Sequence, residues 1–328
     1  MWSFLLKINK RLVAVIPAMM AAGYLFGLTA SPTSLSVLKA LILPFTFLMV
    51  YPMMVTLNIA ALRDGIKNVR LQLSTQGINF LVVPFVAYGL GLIFFQDQPY
   101  LALGLLLAFL LPTSGMTISW TGFAKGNLAA AVNMTVIGLT LGSLATPFYV
   151  RVLMGARVDV DLILVVKQIV IIVFLPMLLG YLTRQVFLKR YGPQEFKNTW
   201  APRFPSLSTV GVLGIVFVAI ALKARGISEN PVILGGILVP LLIMYGLNFG
   251  LSTVIGRMFF NRGDAIALVY GTVMRNLSIA LAIAINAFGE KGADAALVIA
   301  LSYIIQVQSA AWYVKFSDRI FGPVPVTE

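Results

Sequence analysis

The sequence predicts an all-α membrane protein of about ten transmembrane helices in two inverted five-helix repeats, with helices 4 and 9 discontinuous. Three observations support this fold class: the composition, the placement of the basic residues, and motifs that recur in both halves. The 328 residues are 59% hydrophobic and only 11% charged, whereas soluble domains carry roughly 25% charged residues. The chain therefore has too little polar surface to cover itself in water.

Ten apolar segments are long enough to cross a bilayer, since a run of about 18 or more apolar residues is read as a span. They lie at about 11–29, 35–62, 72–95, 98–124, 127–154, 158–187, 204–224, 231–256, 263–289 and 292–316. The first segment is basic and then apolar, like a signal peptide, but it lacks a convincing cleavage site and further spans follow. We interpret it as helix 1. Residues 1–328 are then one transmembrane domain, with repeats at about 1–157 and 158–328.

The basic residues predict the topology. Of the 24 lysines and arginines, sixteen fall on one side of the ten-span map, six fall on the other, and Lys167 and Arg275 lie within spans. The positive-inside rule places both termini in the cytoplasm. We expect an integral protein of the cell's inner or plasma membrane. The net charge of +13 follows from this topology, so the bilayer is the expected partner and nucleic acid is not.

Short motifs recur in both halves of the chain. Segment 20–25 matches 177–182, segment 83–84 matches 239–240, and segment 123–126 resembles 288–292. Because each half holds five spans, an odd number, the second repeat must be inverted. Inverted repeats are typical of secondary transporters, which bind their substrate between the repeats near the membrane midplane.

The chain contains no cysteine and no histidine. This excludes disulfides, thiolate nucleophiles, catalytic triads with histidine, and Cys/His metal sites. The 11 acidic residues all lie in loops or at span ends, so no buried carboxylate is expected. We therefore predict no enzyme activity, no metal and no cofactor.

Helices 4 and 9 are interrupted at equivalent places, by Pro112 with Gly115 and by Gly271 near Arg275, and we expect unwound segments near 112–117 and 271–276. Interrupted helices expose backbone carbonyls and helix N-termini that hold ions or anions. The alternative is a proline kink in which serine and threonine bond back to their own helix. The predicted substrate-binding residues are Asn79, Thr113, Ser114, Thr117, Ser119, Arg275, Asn276 and Ser278. The possible ion-binding residues are Thr117, Ser119 and Thr135.

Arg275 lies near the centre of its predicted span. An arginine there costs roughly 2.5–3.5 kcal/mol on insertion scales, so it needs a function or a partner. Either it faces the cavity as a cationic group for an anion, or it is tied to carbonyls of the broken helix and is purely structural.

Together these residues resemble the bile acid:sodium symporter superfamily, over essentially the whole chain. Within it, the chain is similar to the arsenite efflux permeases, through segment 48–55, Asn79 followed by Pro84, and the helix 4 residues Pro112, Met116 and Trp120. Arg275-Asn276 with Phe288-Gly289 also resembles the helix 9 of those permeases.

The chain departs from both branches of the superfamily. Thr113 stands where the permeases carry cysteine, and Ser278 stands where they carry glutamate. Against the bile acid branch, the sodium-binding residues fall at Thr117, Ile118, Gly271 and Arg275. Both sodium sites therefore lack their expected side chains.

The resemblance implies a secondary active transporter that moves a small polar or anionic solute by alternating access. A core of helices 3–5 and 8–10 would move against a panel of helices 1, 2, 6 and 7. The chain would be an arsenical-resistance-like permease without the thiol. The alternatives are a sodium-coupled organic-anion symporter, a membrane enzyme and a channel. The sequence leaves open the substrate, the coupling ion, the direction of transport and the oligomeric state.

Overall fold

The structure, a computed structural model, describes residues 12–56, 68–229 and 231–323. Helices occupy all ten predicted spans, and the described residues contain no strand, only one isolated β-bridge. The helices are α1 Leu12–Thr29, α2 Pro32–Thr56, α3 Val69–Phe94, α4a Pro99–Leu110, α4b Gly115–Phe123, α5 Leu128–Met154, α6 Leu162–Trp200, α7 Phe204–Glu229, α8 Val232–Phe259, α9a Arg262–Val273, α9b Leu277–Phe288 and α10 Gly292–Phe321. The prediction of an all-α membrane protein is confirmed. Residue 11 of the first predicted span and residues 57–62 of the second lie outside the described residues.

Seven of these helices are long and apolar enough to cross a membrane as single rods. The shorter apolar helices include α4a and α9b, halves of the two interrupted spans. The π-helical turns 78–82 and 170–174 lie within α3 and α6, and the π-helical turn 150–154 ends α5. Such turns widen a helix locally and are frequent at functional sites.

Charged and amide side chains define two ends of the bundle. At one end, which we call the Lys39 end, Lys39 of α2 pairs with Glu290, and Lys223 of α7 lies 2.7 Å from Asp294 of α10. At the other, the Arg262 end, Arg262 pairs with Asp318. The Arg262 guanidinium also donates to the Lys125 carbonyl at 2.9 Å, so the ends of α4b and α10 meet the start of α9a there.

Asp264 closes the Arg262 end of the core. Its carboxylate is buried, so the expectation of no buried carboxylate was wrong. The carboxylate accepts hydrogen bonds from the side-chain amides of Asn68, Asn127 and Asn261 at 2.7–3.1 Å. Each of these asparagines also caps the N-terminus of its own helix, α3, α5 or α9a. The three helices therefore begin at the same level and run in the same direction.

The helices pack as two groups. In the panel, α7 packs on α1 and α2, and α2 packs on α6. In the core, α4a packs on α3 and α10, and α9a packs on α8. Close approach within the panel depends on glycine: a Cβ on Gly27 would overlap the Ala221 carbonyl oxygen of α7. Small residues that let backbones approach are the usual basis of helix association in lipid.

Candidate substrate site where the broken helices cross

The two helix breaks meet. Between α4a and α4b, and between α9a and α9b, the chain is extended, and Pro112 pairs with Arg275 in an antiparallel bridge. The Thr113 N–H donates to the Met274 carbonyl, and the Asn276 N–H donates to the Leu111 carbonyl, both at 2.8 Å. The prediction that helices 4 and 9 are discontinuous is confirmed, and their interruptions are in direct contact.

The breaks are shorter than the expected stretches 112–117 and 271–276. Helix α4b already begins at Gly115 because Ser114 caps it: the Ser114 hydroxyl accepts the Met116 N–H, and the Thr117 hydroxyl accepts the Ser114 N–H. Gly271 remains helical, since α9a continues to Val273. Helix 4 therefore resumes at Gly115, directly after its cap Ser114, and helix 9 is interrupted only after Val273.

Asparagine amides from two neighbouring helices hold the end of α9a. Asn79 of α3 donates to the Gly271 carbonyl at 3.0 Å, and Asn248 of α8 donates to the Thr272 carbonyl at 2.8 Å. These carbonyls belong to the last turn of α9a, where no helical N–H follows to satisfy them. Asn79, expected to bind substrate, is fully buried and has this role in the structure.

Gln306 of α10 is the third amide side chain that bonds to the backbone of helix 9. Its amide oxygen accepts the Arg275 N–H at 2.8 Å, and its amide nitrogen donates to the Arg275 carbonyl at 3.3 Å. The Tyr245 hydroxyl donates to the same amide oxygen at 3.1 Å. Sequence reasoning missed this role, because a lone glutamine in a span indicates only that it bonds to some neighbouring helix.

Arg275 is buried at the crossing, with 1% of its surface exposed. Its Nη1 donates to the Phe109 carbonyl at 3.2 Å, and the guanidinium carbon lies 5.7 Å from the centre of the Phe109 ring. A cation at the C-terminal end of α4a is favoured by the helix dipole. Its Nε and Nη2 have no hydrogen-bond partner among the described residues. The side chain thus points to the end of α4a and not into the adjoining cavity.

A cavity of about 90 Å³ opens beside the crossing, between core and panel and toward the Arg262 end. Its lining residues are Met53, Met54, Thr56, Ser114, Gly115, Ile118, Val132, Thr135, Leu139 and Asn276. The α2 residues at the end of segment 48–55 were not predicted to contact substrate, and only the family resemblance of that segment pointed to them.

Asn276 is the most informative group in the cavity. Its side-chain oxygen caps α9b by accepting the Ile279 N–H at 3.2 Å. Its Nδ2 has no hydrogen-bond partner among the described residues, although the residue is only 1% exposed. A buried amide N–H without an acceptor is costly, so this donor is available to a solute in the cavity.

The remaining predicted site residues separate into two groups. Ser114, Asn276 and Thr135 line the cavity, whereas Thr113, Thr117, Ser119 and Ser278 do not. Thr113 has a left-handed backbone, with φ 63°, and its hydroxyl lies 3.2 Å from the Thr135 carbonyl of α5. The Ser278 hydroxyl lies 2.6 Å from that of Tyr303.

The three hydroxyls expected to bind an ion are directed at neighbouring backbone. Thr117 accepts the Ser114 N–H, Ser119 donates to the Gly115 carbonyl at 3.3 Å, and Thr135 donates to the Ala131 carbonyl at 2.8 Å. Ser119 is also exposed. Of the three, only Thr135 lines the cavity described above.

The chain is similar over most of its length to membrane proteins of one family. The family model described as "Sodium Bile acid symporter family" matches residues 41–230. The "Arsenical-resistance protein Acr3" of Alkaliphilus metalliredigens is 26% identical over 291 residues, 83% of this chain and 80% of that protein. The "Arsenical-resistance protein Acr3" of Corynebacterium glutamicum is 22% identical over 230 residues, 66% of this chain and 62% of that protein. The "Uncharacterized protein YbaS" of Bacillus subtilis is 25% identical over 234 residues, 70% of this chain and 74% of that protein. The resemblance noted in the sequence is confirmed: the chain belongs to the sodium bile acid symporter family and is an integral membrane transporter.

Proposed function

We propose that this transporter is a secondary active carrier of a small polar or anionic solute, which it binds in the cavity beside the crossing. The observation that carries this proposal is the buried, unpartnered Nδ2 of Asn276. It supplies a hydrogen-bond donor at the cavity wall that has no acceptor in the described part of the chain. The proposal is a carrier and not an enzyme, since histidine and cysteine are absent from the whole chain.

The cavity favours a solute with acceptor oxygens. The Ser114 hydroxyl uses its oxygen to accept the Met116 N–H, which leaves its own hydrogen for a solute. Both α4b and α9b begin at the cavity wall, and helix N-termini attract negative charge. Among the residues that the structure describes, no acidic side chain lines the cavity. Arg275 adds positive charge behind this wall without touching the solute.

The size of the cavity points to a solute of few atoms. Its volume of about 90 Å³ is small against the roughly 300–1,000 Å³ of pockets for drug-sized ligands. Met53, Met54 and Ile118 limit one side with apolar surface. An inorganic oxyacid or oxyanion fits these limits better than a bulky organic anion.

An arsenic oxyacid is one candidate, because two relatives are named for arsenical resistance. This chain has no thiol to grip trivalent arsenic, so recognition would use hydroxyl and amide groups. The second candidate is a sodium-coupled organic-anion symporter with an ion site at Thr117, Ser119 and Thr135. The backbone contacts of all three hydroxyls favour a carrier that does not need sodium.

The proposed transport cycle moves the core against the panel. Two ion pairs join these groups at the Lys39 end, while the cavity lies on the Arg262 side of the crossing. We assign the Arg262 end to the cytoplasm from the positive-inside rule, with the repeats at about 1–157 and 158–328 in one domain of the inner or plasma membrane. The solute then leaves or enters on the cytoplasmic side in this conformation.

Asn276→Asp tests the site with little change of shape. The carboxylate can still cap α9b, but it replaces the free donor with negative charge. We expect affinity for an oxyanion to fall at least tenfold, about 1.4 kcal/mol, in proteoliposome uptake assays with arsenite, arsenate and small carboxylates. Ser119→Ala, an exposed position outside the cavity, is the control and should transport normally. Equal transport by Asn276→Asp and the parent would disprove the site.

The same assays test the two remaining parts of the proposal. Arg275→Gln should remain folded but transport anions less well, because the field behind the cavity is lost. A fall in thermal stability with transport declining only in step with folded protein would make the arginine structural.

Uptake in sodium and in a large inert cation should agree within a few-fold. A tenfold sodium dependence would favour the symporter alternative.

A further inference from the structure

Aromatic rings fold the connection between α6 and α7 into a compact unit. The Phe187 ring centre lies 5.2 Å from that of Trp200, 5.8 Å from that of Phe204 and 6.2 Å from that of Phe196. The Tyr191 and Trp200 ring centres are 5.1 Å apart. Helix α6 bends at Gly192, whose φ of 79° is a left-handed value suited to glycine. We call residues 184–204 the basic turn.

The basic turn carries five cations and one acid. Its basic residues are Arg184, Lys189, Arg190, Lys197 and Arg203, and its acidic residue is Glu195. Lys189, Arg190 and Lys197 are exposed. The guanidinium carbons of Arg184 and Arg203 lie 5.8 Å and 4.8 Å from the ring centres of Phe196 and Trp200. The Arg190 guanidinium carbon also lies 5.5 Å from the Tyr191 ring centre. Ring contacts therefore hold three of the cations close to the turn, and Lys189, Arg190 and Lys197 remain exposed.

This turn differs from the other basic positions at the Arg262 end. Arg262 is engaged with Asp318 and with backbone carbonyls. Lys125, Arg257 and Arg319 are exposed but lie on separate elements. Arg70 and Lys315 are also exposed, and they lie over the rings of Phe259 and Trp312. The basic turn differs in that three exposed cations share one aromatic base.

We propose that the basic turn binds the phosphate headgroups of anionic lipids in the leaflet at the Arg262 end. Tryptophan and tyrosine favour the membrane–water interface, so the aromatic base sets the turn at headgroup depth. Clustered lysines and arginines beside a transmembrane helix attract anionic lipid. Because the turn joins α6 to α7, bound lipid anchors the panel at that leaflet.

The test compares two triple variants of the full chain with the same change of charge. In Lys189→Gln/Arg190→Gln/Lys197→Gln the basic turn loses its exposed cations. In Lys125→Gln/Arg257→Gln/Arg319→Gln the same number is lost elsewhere at the same end. Phosphatidylglycerol and phosphatidylcholine are titrated separately into purified protein in a neutral detergent, and bound lipid is measured by native mass spectrometry.

We expect the parent and the second variant to bind phosphatidylglycerol with similar affinity, and the first variant to bind it at least tenfold more weakly. Lys197→Gln alone should give an intermediate loss, which keeps the test open if the triple variant does not fold. Equal losses in both triple variants would show unspecific charge attraction and overturn the proposal. The proposal would also be overturned if phosphatidylcholine bound as tightly as phosphatidylglycerol, or if inorganic phosphate displaced phosphatidylglycerol at equal concentration.

Discussion

The breaks in helices 4 and 9 form one β-bridge, but the backbone groups that face away from the bridge are accommodated differently in the two helices. In this type of antiparallel pair the hydrogen bonds are made by the flanking residues, and the backbone nitrogens of Pro112 and Arg275 both face away from the bridge. Proline has no N–H, so helix 4 has no outward donor to satisfy. In helix 9 the outward N–H and carbonyl of Arg275 both bond to Gln306.

The surroundings of the two breaks differ in the same way. Helix 4 lies against glycines of α5: a Cβ on Gly142 would come 2.7 Å from Pro112 Cδ, and one on Gly138 would come 2.7 Å from the Thr113 hydroxyl. Helix 9 is held by the amides of Asn79, Asn248 and Gln306. An unsatisfied backbone group within a membrane costs several kcal/mol. The comparison shows two ways to stabilise extended backbone within a membrane. In helix 4 a proline removes the N–H donor and the chain packs closely on α5, and in helix 9 side-chain amides bond to the backbone.

Gln306→Met should have the largest effect, because it removes the amide but keeps the side-chain length. The Arg275 N–H and carbonyl would lose their partner, at about 1–3 kcal/mol for each buried group. We expect the free energy of unfolding to fall by about 2–4 kcal/mol, measured by denaturant titration in detergent. Gln308→Met, an exposed position on the same helix, is the control. A similar small change in both variants would mean that the amide does not hold helix 9.

Gly142→Ala tests the packed side of the comparison. The added methyl group would overlap Pro112, and overpacking typically costs about 1–3 kcal/mol. Part of this is offset by the better helix propensity of alanine, up to about 1 kcal/mol. Gly246→Ala on α8, where a Cβ meets no atom within 4 Å, should be neutral or stabilising. The prediction fails if the two variants change the melting temperature in the same direction.

The smallest effect on stability is expected from cysteines placed in the helix 4 break. The chain has no cysteine of its own, so single-cysteine variants carry no background. Thr113→Cys should cost less than about 1 kcal/mol, the usual net worth of one hydrogen bond, and its thiol should remain packed on α5. Ser114→Cys places the thiol at the cavity wall.

Labelling with a small maleimide should therefore be at least tenfold faster at position 114 than at position 113. Addition of a bound solute should slow the reaction at 114 only. Faster labelling at 113 would show that this side chain reaches the cavity in another conformation, and it would return Thr113 to the list of solute contacts.

Local signals in the sequence predicted the ten spans, because span length is read directly from the chain, and the break in helix 4, because Pro112 acts on the backbone where it stands. The break in helix 9 was predicted from Gly271, which remains helical, and lies three residues further on. The partners of the breaks were not predictable in this way. Gln306 reaches Arg275 across 31 positions of the chain, and nothing near it in sequence specifies that contact. The Thr113 side chain is directed at α5 because Gly138 leaves room for it. Hydrophobic periodicity does not predict such a contact. The division into panel and core came from the family resemblance alone.

The ion pairs at the Lys39 end make the separation of core and panel sensitive to the solution on that side. Lys223 and Asp294 are about one-third exposed, whereas Glu290 is largely exposed, so salt screens the Lys39–Glu290 pair more strongly. The hydrogen bond and charge of Lys39 lower the pKa of Glu290. This pair therefore contributes above the ordinary pKa of a glutamate and is lost only as the pH falls through the lowered value. In the transport cycle proposed above, ionic strength and acidity on that face of the membrane would therefore contribute to the free energy of separating core and panel.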